Sequence, residues 1–362
     1  MKPIVVVAGT RPEIIKMAPI IRALKKAQLP SSFVHCGQHY DYNMAQQFIE
    51  NLELPTPDYS VEIENSSPGE QTAEIMMKMD QLIGKVDPSV VLVEGDTNTV
   101  LSTALAANKR VVPIGHVEAG LRSFDLRMPE EHNRRLTDHI SEYLFAPTRR
   151  AEANLIKESV WGKIFITGNT AIDAVVEHLP IAEKKSTIMK KVPFKQFVLA
   201  TAHRAENVDN IEVLESFVDV FSKSPLPIVY PMHPRTKKRL QENNMLSKME
   251  ALKNVLILPP LGYLDFLILM RNCCLILTDS GGIQEEATAP IISKRVLVIR
   301  LSTERQEAVE AGFAKIVGTD KNTILSALRE AMNKEEVLPS VSPFGDGTAA
   351  RKTVEIIKKS FC

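Results

Sequence analysis

The sequence predicts an α/β protein built from two doubly wound parallel-sheet domains, and three observations lead there. At 362 residues the chain is too long for one ordinary hydrophobic core and suits two domains of roughly 150–200 residues each. Short runs rich in Val and Ile, each followed by a polar turn and a helical stretch, recur from one end to the other, the rhythm of parallel strands with crossover helices. The runs are continuously apolar and do not alternate, so both faces of each sheet should be covered by helices.

Taken in order, the first set of strands is read at IVVVAG, SFVHCG, SVVLVEGD, VVPIGHVEAG, YLFAPT and IFITGN. After TGNTAIDAVVEHLP comes the Lys-rich stretch IAEKKSTIMKKVPFKQ, and the rhythm then restarts with FVLATAH, PIVYPMHP, NVLILPPL, CCLILTDS, RVLVIR and AKIVG. The linker is placed near Gly168 and Asn169. A last helix, from about Gly347 to Phe361, follows the loop SVSPFGDG. The expected division is residues 1–168 with 344–362 as the first domain, the C-terminal helix returning to it, and residues 169–343 as the second. Ligands of doubly wound sheets sit at the carboxyl ends of the strands, so the active site is expected in a cleft that the two domains face.

The composition is that of an ordinary globular protein, 44% hydrophobic and 24% charged. Lys+Arg and Asp+Glu are equal at 44 each, which gives no net field to attract nucleic acid or an anionic membrane. Any anionic ligand must then be held by a few placed groups. Cys36, Cys273, Cys274 and Cys362 show no CxxC spacing, which argues against a disulfide framework or a zinc site and favours a reducing compartment. The N-terminal apolar run before Gly9 is far shorter than a signal-peptide core, so a cytoplasmic location is expected.

Several motifs fall where such sheets carry chemistry. GTRPEIIK follows the first strand and opens a helix, with Pro12 near its start and Arg11 and Lys16 within about a turn, a cationic helix N-terminus suited to phosphate. It is neither a Walker loop nor a GxGxxG turn. TDSGGIQEEA puts Ser280, Gly281 and Gly282 at another helix start, where bare backbone N–H groups can approach a diphosphate, and Glu285 and Glu286 just beyond can accept from ribose hydroxyls. A Ser N-cap followed by acids that the helix dipole favours would read the same way.

EGDTNT, GHVEAGLRS and MPEEHNRRLTDH supply Asp96, Glu118, Glu130 and Glu131 as candidate acids and bases, and Glu130 is spaced for an i,i+4 pair with Arg134. His203 in ATAHRAEN and His233 in PMHPRTKK each follow a strand and can reach a phosphate or a carboxylate, a structural role suiting His233 better. The remaining histidines show no HExxH or comparable spacing, so no catalytic metal is expected. A Ser nucleophile in DSGG fails on context, since GxSxG is absent.

GTRPE, GQH, EGDTNT, HVEAGLRS, PEEHNRR, TAHRAEN, HPRT, TDSGGIQEEA and TERQEAVEAG, in this order from about residue 3 to the last helix, resemble the non-hydrolysing UDP-N-acetylglucosamine 2-epimerases. The resemblance implies two Rossmann-like domains in a GT-B fold, a homodimer, no NAD or other cofactor, and no metal. Carried over position by position, it makes Asp96, Glu118, Glu130 and His203 the catalytic group. It assigns Arg11, Lys16, Arg134, His233, Ser280, Gly281, Gly282, Glu286 and Arg305 to UDP, with Phe266 near the uracil. Gln38, His39 and Gln71 match the region where some members bind a second UDP-GlcNAc as activator. The chain departs from the family pattern in the longer QEEATAPIISKRV loop, in Gln306 where Pro is usual, and in Leu301 where Asp is common.

The expected reaction follows from the substrate. The proton on the second carbon of N-acetylglucosamine has no adjacent carbonyl, so expelling UDP from the anomeric carbon and taking that proton gives a glycal, to which proton and UDP return with inversion. Return from the opposite face calls for a second acid, a physical reason for several carboxylates. The rival readings are a hydrolysing epimerase releasing UDP and ManNAc, a GT-B glycosyltransferase needing an acceptor, and a UDP-sugar sensor without turnover. The pathway served is expected to be polysaccharide synthesis.

Overall fold

The computed structural model describes residues 2–38, 42–64, 67–333 and 337–361. Two compact units divide the chain: Met1–Ala174 with Phe344–Cys362, and Val175–Pro343. The division falls inside the helix Thr170–Lys185, a little beyond Gly168 and Asn169 where the linker was expected.

In the first unit seven strands form one parallel sheet: β1 (Ile4–Ala8), β2 (Ser31–Gln38), β3 (Tyr59–Ile63), β4 (Val90–Glu94), β5 (Ile114–Val117), β6 (Tyr143–Ala146) and β7 (Lys163–Ile166), in the order β3-β2-β1-β4-β5-β6-β7. Every residue of β1, β4 and β5 is buried, as their unbroken apolar runs required. The strand the sequence reading missed is β3. As an edge strand it hides only alternate residues, Val61 and Ile63, so YSVEI carries none of the continuous apolar signal of the interior strands.

Six strands make the parallel sheet of the second unit: β8 (Val198–Thr201), β9 (Ile228–Pro231), β10 (Val255–Leu258), β11 (Leu275–Thr278), β12 (Val296–Val298) and β13 (Ala314–Ile316), ordered β10-β9-β8-β11-β12-β13. Its core is built from strand residues such as Val198, Ile228 and Leu277 against helix residues such as Leu214, Phe217, Phe221 and Leu328.

The C-terminal helix Ala349–Phe361 belongs to the first unit. Its first N–H groups, on Ala349 and Ala350, donate to the buried Asp173 carboxylate at 3.1 and 2.9 Å, which satisfies donors that a helix start otherwise leaves bare. At its far end Phe361 packs on Tyr143, ring centroids 5.4 Å apart.

Strand order reverses once in each sheet, between β1 and β4 in the first and between β8 and β11 in the second. At such a point the connections leave to opposite faces and open a crevice beyond the strand ends, the place where doubly wound sheets bind ligands. The turns after those four strands are GTR, GDT, AHR and DSGG, the segments singled out above.

Candidate active site

The turn after β1 is held by its own helix. Thr10 caps the helix Arg11–Lys26, and Glu13 reaches back to accept from the Gly9 N–H at 2.6 Å and from Thr10 Oγ1 at 3.1 Å. Gly9 has no alternative here, since a Cβ would lie 2.7 Å from both the Cys36 carbonyl oxygen and Thr99 Oγ1. Arg11 is thereby presented at the helix mouth, exposed, its guanidinium 5.8 Å from the centre of the Phe48 ring.

Beside it, at the β1/β4 reversal, lies a cavity of about 620 Å³ whose wall includes Arg11, Gln71, Asp96, Asn98, Glu130 and Asn133. Asn98 donates to Gln71 at 3.0 Å, while Asn133 donates to the Asp96 carbonyl at 2.9 Å. Asp96 lies in the turn between β4 and the helix Asn98–Lys109, and Glu130 is exposed in the first turn of the helix Pro129–Ile140. Of the residues considered for an activator, Gln71 lines this wall, Gln38 ends β2, and His39 lies outside the described residues.

Two cations expected to meet UDP turn out to serve carboxylates. Arg134 is buried and reaches Asp96 Oδ2, through Nη2 and through Nε at 3.1 Å, and Glu131 Oε2 at 3.0 Å, rather than Glu130. Lys16 extends inward from the same helix as Arg11 and places its ammonium between Glu118 Oε2 and Glu94 Oε1, the latter at 3.0 Å.

Glu118 is the strained member of the group. It follows β5 with φ of 67° while only 8% exposed, a left-handed conformation that costs a side-chain-bearing residue about 1–3 kcal/mol unless its surroundings enforce it. Those surroundings are Lys16 and the Asn169 amide, which donates to Glu118 Oε2 at 3.1 Å.

The loops after β4 and β5 are tied together underneath. Buried His116 stands 2.7 Å from Asp138 Oδ1 through Nδ1 and 2.8 Å from the Gly95 carbonyl oxygen through Nε2, so both ring nitrogens face acceptors. Asp138 also takes Arg122 Nη2 at 2.7 Å and the Gly120 N–H at 3.2 Å. Burial pushes the Asp138 carboxyl up, but the His116 ring and the Arg122 guanidinium outweigh it and hold it below the usual carboxylate range.

At the second reversal His203 follows β8 and Ser280 follows β11. Asp279, fully buried, joins the two turns: its Oδ2 accepts from the N–H groups of His203 and Arg204 at 2.8 and 2.9 Å and from Asn207 at 3.1 Å, and its Oδ1 is 3.1 Å from His203 Nδ1. Burial raises the Asp279 carboxyl, but His203 and the backbone donors together leave it below the usual value. The arrangement fixes the His203 ring and turns Nε2 outward.

His233 lies next to His203, ring centroids 5.6 Å apart, and caps the helix Pro234–Glu242 by accepting from the Arg235 N–H at 3.2 Å. That is the structural role that suited it in the sequence. Ser280 stands at the N-cap position of the short helix Gly281–Glu286, with no side-chain hydrogen bond to the helix start. Arg305 is buried, with Nε donating to Glu285 at 2.6 Å, and its guanidinium lies where a Cβ on Gly281 would come within 3.3 Å, so it braces the glycine turn from behind. Glu286 interacts with the buried Tyr263 hydroxyl, which burial and this carboxylate hold well above its ordinary pKa, and Phe266 sits half-buried one turn further along the helix Tyr263–Asn272.

Sequence reasoning passed over Glu94, Asn169 and Asp279, and it weighed Glu131 and Glu285 but gave the site roles to their neighbours Glu130 and Glu286. For the two glutamate doublets helical geometry was the usable signal. Adjacent helix residues point about 100° apart, so the two carboxylates of a Glu-Glu doublet leave the helix in different directions and one can turn inward. Glu131 and Glu285 are those inward members, and each holds an arginine. Among the described residues no group of three or more His, Cys, Asp or Glu side chains is placed to hold a metal ion.

The chain resembles known proteins over nearly its whole length. Residues 22–358 match the family model described as UDP-N-acetylglucosamine 2-epimerase. The chain is 45% identical, over 97% of its length and 98% of the relative's, to a protein of Methanocaldococcus jannaschii named UDP-N-acetylglucosamine 2-epimerase. A crystal structure of UDP-GlcNAc 2-epimerase from that organism, in complex with UDP-GlcNAc and UDP, superposes with a TM-score of 0.86 at 44% identity, covering 99% of each chain. A Pseudomonas aeruginosa relative named UDP-2,3-diacetamido-2,3-dideoxy-D-glucuronate 2-epimerase is 37% identical, over 98% of this chain and 99% of its own length. The expected fold class, two Rossmann-like α/β units, is borne out.

Proposed function

Since the chain belongs to the UDP-N-acetylglucosamine 2-epimerase family, we propose that it interconverts UDP-GlcNAc and UDP-ManNAc without releasing the sugar. The observation that carries this reading is a set of carboxylates past the ends of β4 and β5: Asp96 and Glu130 on the cavity wall at the β1/β4 reversal, and Glu118, after β5, held in a strained turn by Lys16 and Asn169. A site that only binds a nucleotide sugar has no use for several acids beside a leaving diphosphate, whereas proton exchange at carbon does.

In the forward direction the bond from the anomeric carbon to the diphosphate oxygen breaks and its electron pair leaves with UDP. The C2–H bond breaks at the neighbouring carbon, its electrons form the C1=C2 bond of 2-acetamidoglucal, and the proton goes to one of Asp96, Glu118 and Glu130. Another acid of the set returns a proton to the opposite face while the diphosphate oxygen adds back at C1. Arg11, the helix start at Ser280 with the backbone N–H groups of Gly281 and Gly282, and His203 meet the charge that develops on UDP, the Ser280 N–H itself being given to Thr278 Oγ1 at 3.0 Å. Glu286 takes the ribose and Phe266 the uracil. Lys16, Arg134 and Arg305 work through the carboxylates and the turn they hold, and His233 through its contact with His203.

The rest of the reading has the family as its support: a homodimer working in the cytosol on precursors of polysaccharide, with Gln71 of the cavity wall serving a second, activating UDP-GlcNAc. Among the described residues no helix is long and apolar enough to cross a membrane.

The test is proton NMR of the protein with UDP-GlcNAc in deuterated water. UDP-ManNAc carrying deuterium at C2, with little free UDP, is the expected result. The same experiment with UDP-2,3-diacetamido-2,3-dideoxy-D-glucuronate should leave the spectrum unchanged. Accumulation of free UDP and ManNAc would make the protein a hydrolase, and a silent spectrum with UDP-GlcNAc would refute the assignment. A second expectation concerns Asp279. Asp279→Asn removes the charge beside His203 Nδ1 and should lower kcat at least about tenfold, seen in steady-state assays across pH.

A further inference from the structure

One ammonium and three carboxylates are gathered under the β4 and β5 ends. Lys16 lies between Glu94 and Glu118, and Glu13, from the same helix as Lys16, is buried close by. Glu94 is 2% exposed and Glu118 8%, so water does little to separate their charges. Three negative charges around one positive charge in such a place are more than the site can keep, and at least one proton must be retained.

The hydrogen bonds decide where that proton sits. Two N–H donors, Lys16 Nζ and Asn169 Nδ2, converge on Glu118 Oε2, the surroundings of a carboxylate. Glu13 accepts from the Gly9 and Thr10 N–H groups and from Thr10 Oγ1, which also favours the charged form, although burial still pushes its carboxyl up. The charged groups that act on Glu94 are Lys16 in its favour and Glu118 and Glu13 against it; burial is the largest influence, and the carboxyl is driven well above the ordinary range.

We propose that Glu94 is a positioning residue for Glu118: the two share the Lys16 ammonium, and Glu94, by holding a proton, leaves that ammonium to Glu118. The proposed reaction uses Glu118 but assigns nothing to Glu94, which touches neither the cavity wall nor any exposed surface. When the proton on Glu94 is lost, a second buried charge competes for Lys16 and repels Glu118, and the carboxylate that the strained turn holds in place is pushed out of line.

Glu94→Gln keeps the shape of the protonated acid and cannot ionise. In the wild type kcat should fall on the alkaline side as Glu94 loses its proton, and in Glu94→Gln that limb should move upward by about one pH unit or more. Glu94→Ala, which removes both shape and proton, should lower kcat, and Glu94→Gln should restore it. A limb that superposes on the wild type overturns the proposal.

Infrared spectroscopy supplies a readout that needs no substrate, and so separates failure of this proposal from failure of the epimerase reading on which its kinetic arm rests. At neutral pH the wild type should show a protonated-carboxyl band that Glu94→Gln lacks. Identical carboxyl regions in the two proteins would mean Glu94 is ionised and would overturn it.

Discussion

Glu118→Gln should lower kcat for epimerisation by about 10²–10⁴-fold, the loss typical of removing a positioned general acid or base. The substitution keeps the volume of the side chain and removes its charge, so the left-handed turn after β5 is preserved while the group that exchanges a proton is not. Lys16 loses the Glu118 carboxylate and keeps the Glu94 carboxyl group at 3.0 Å, which can then ionise beside it, so the protein should still fold. Substrate affinity should change little, because the diphosphate and the uridine are assigned to other residues, and the deficit should lie in kcat. Deuterium incorporation at C2, followed by NMR, reads the step directly. Wild-type exchange in Glu118→Gln would remove Glu118 from the proton path.

Asp138→Asn carries the largest expected effect on stability. Asp138 and the His116 ring are both wholly buried, and the carboxylate answers His116, Arg122 and the Gly120 N–H together. Removing one partner of a buried charged set leaves the others uncompensated, at a cost of about 3–5 kcal/mol. Thermal and urea unfolding of the two proteins at neutral pH measure it. The pH dependence has a definite sign. Because the folded carboxyl is held below its unfolded value of about 3.9, its contribution is fully present above that value and is lost as pH falls through the folded one. The gap between wild type and Asp138→Asn should therefore be widest near neutrality and close in acid. A gap that does not change with pH would mean that Asp138 contributes through shape alone. Activity should suffer as well, since His116 ties the network to the Gly95 carbonyl, one residue before Asp96.

Much of this was legible in the chain because it is local. Continuous Val and Ile runs report burial on both faces, so interior strands announce themselves, and β3 escaped because an edge strand hides only alternate residues. Turn segments such as GTR, GDT and DSGG could be placed at strand ends for the same reason: a polar, glycine-bearing stretch after an apolar run has few other places to be. Asp96, Glu118, His203 and Ser280 were found that way: each stands just past a strand, and for Asp96, His203 and Ser280 that strand adjoins a reversal of strand order.

What could not be read was which charge answers which. Lys16 and Arg134 read in the sequence as cations for a UDP phosphate, yet each is turned inward to carboxylates from other elements, Lys16 to Glu94 and Glu118 and Arg134 to Asp96. Arg305 likewise answers Glu285, twenty positions earlier in the chain. Backbone periodicity says which way a side chain leaves its own helix or strand, and the sequence by itself determined that much, together with the parallel, doubly wound class implied by crossover connections and the identity of the segments at the strand ends. The partner across the sheet is set by packing between elements distant in the chain, and in a low-dielectric interior an ion pair forms wherever that packing brings opposite charges within reach. Tertiary structure alone therefore decided that Asp279 fixes His203, that Asn169 and Lys16 hold Glu118, and that Glu94 shares its lysine.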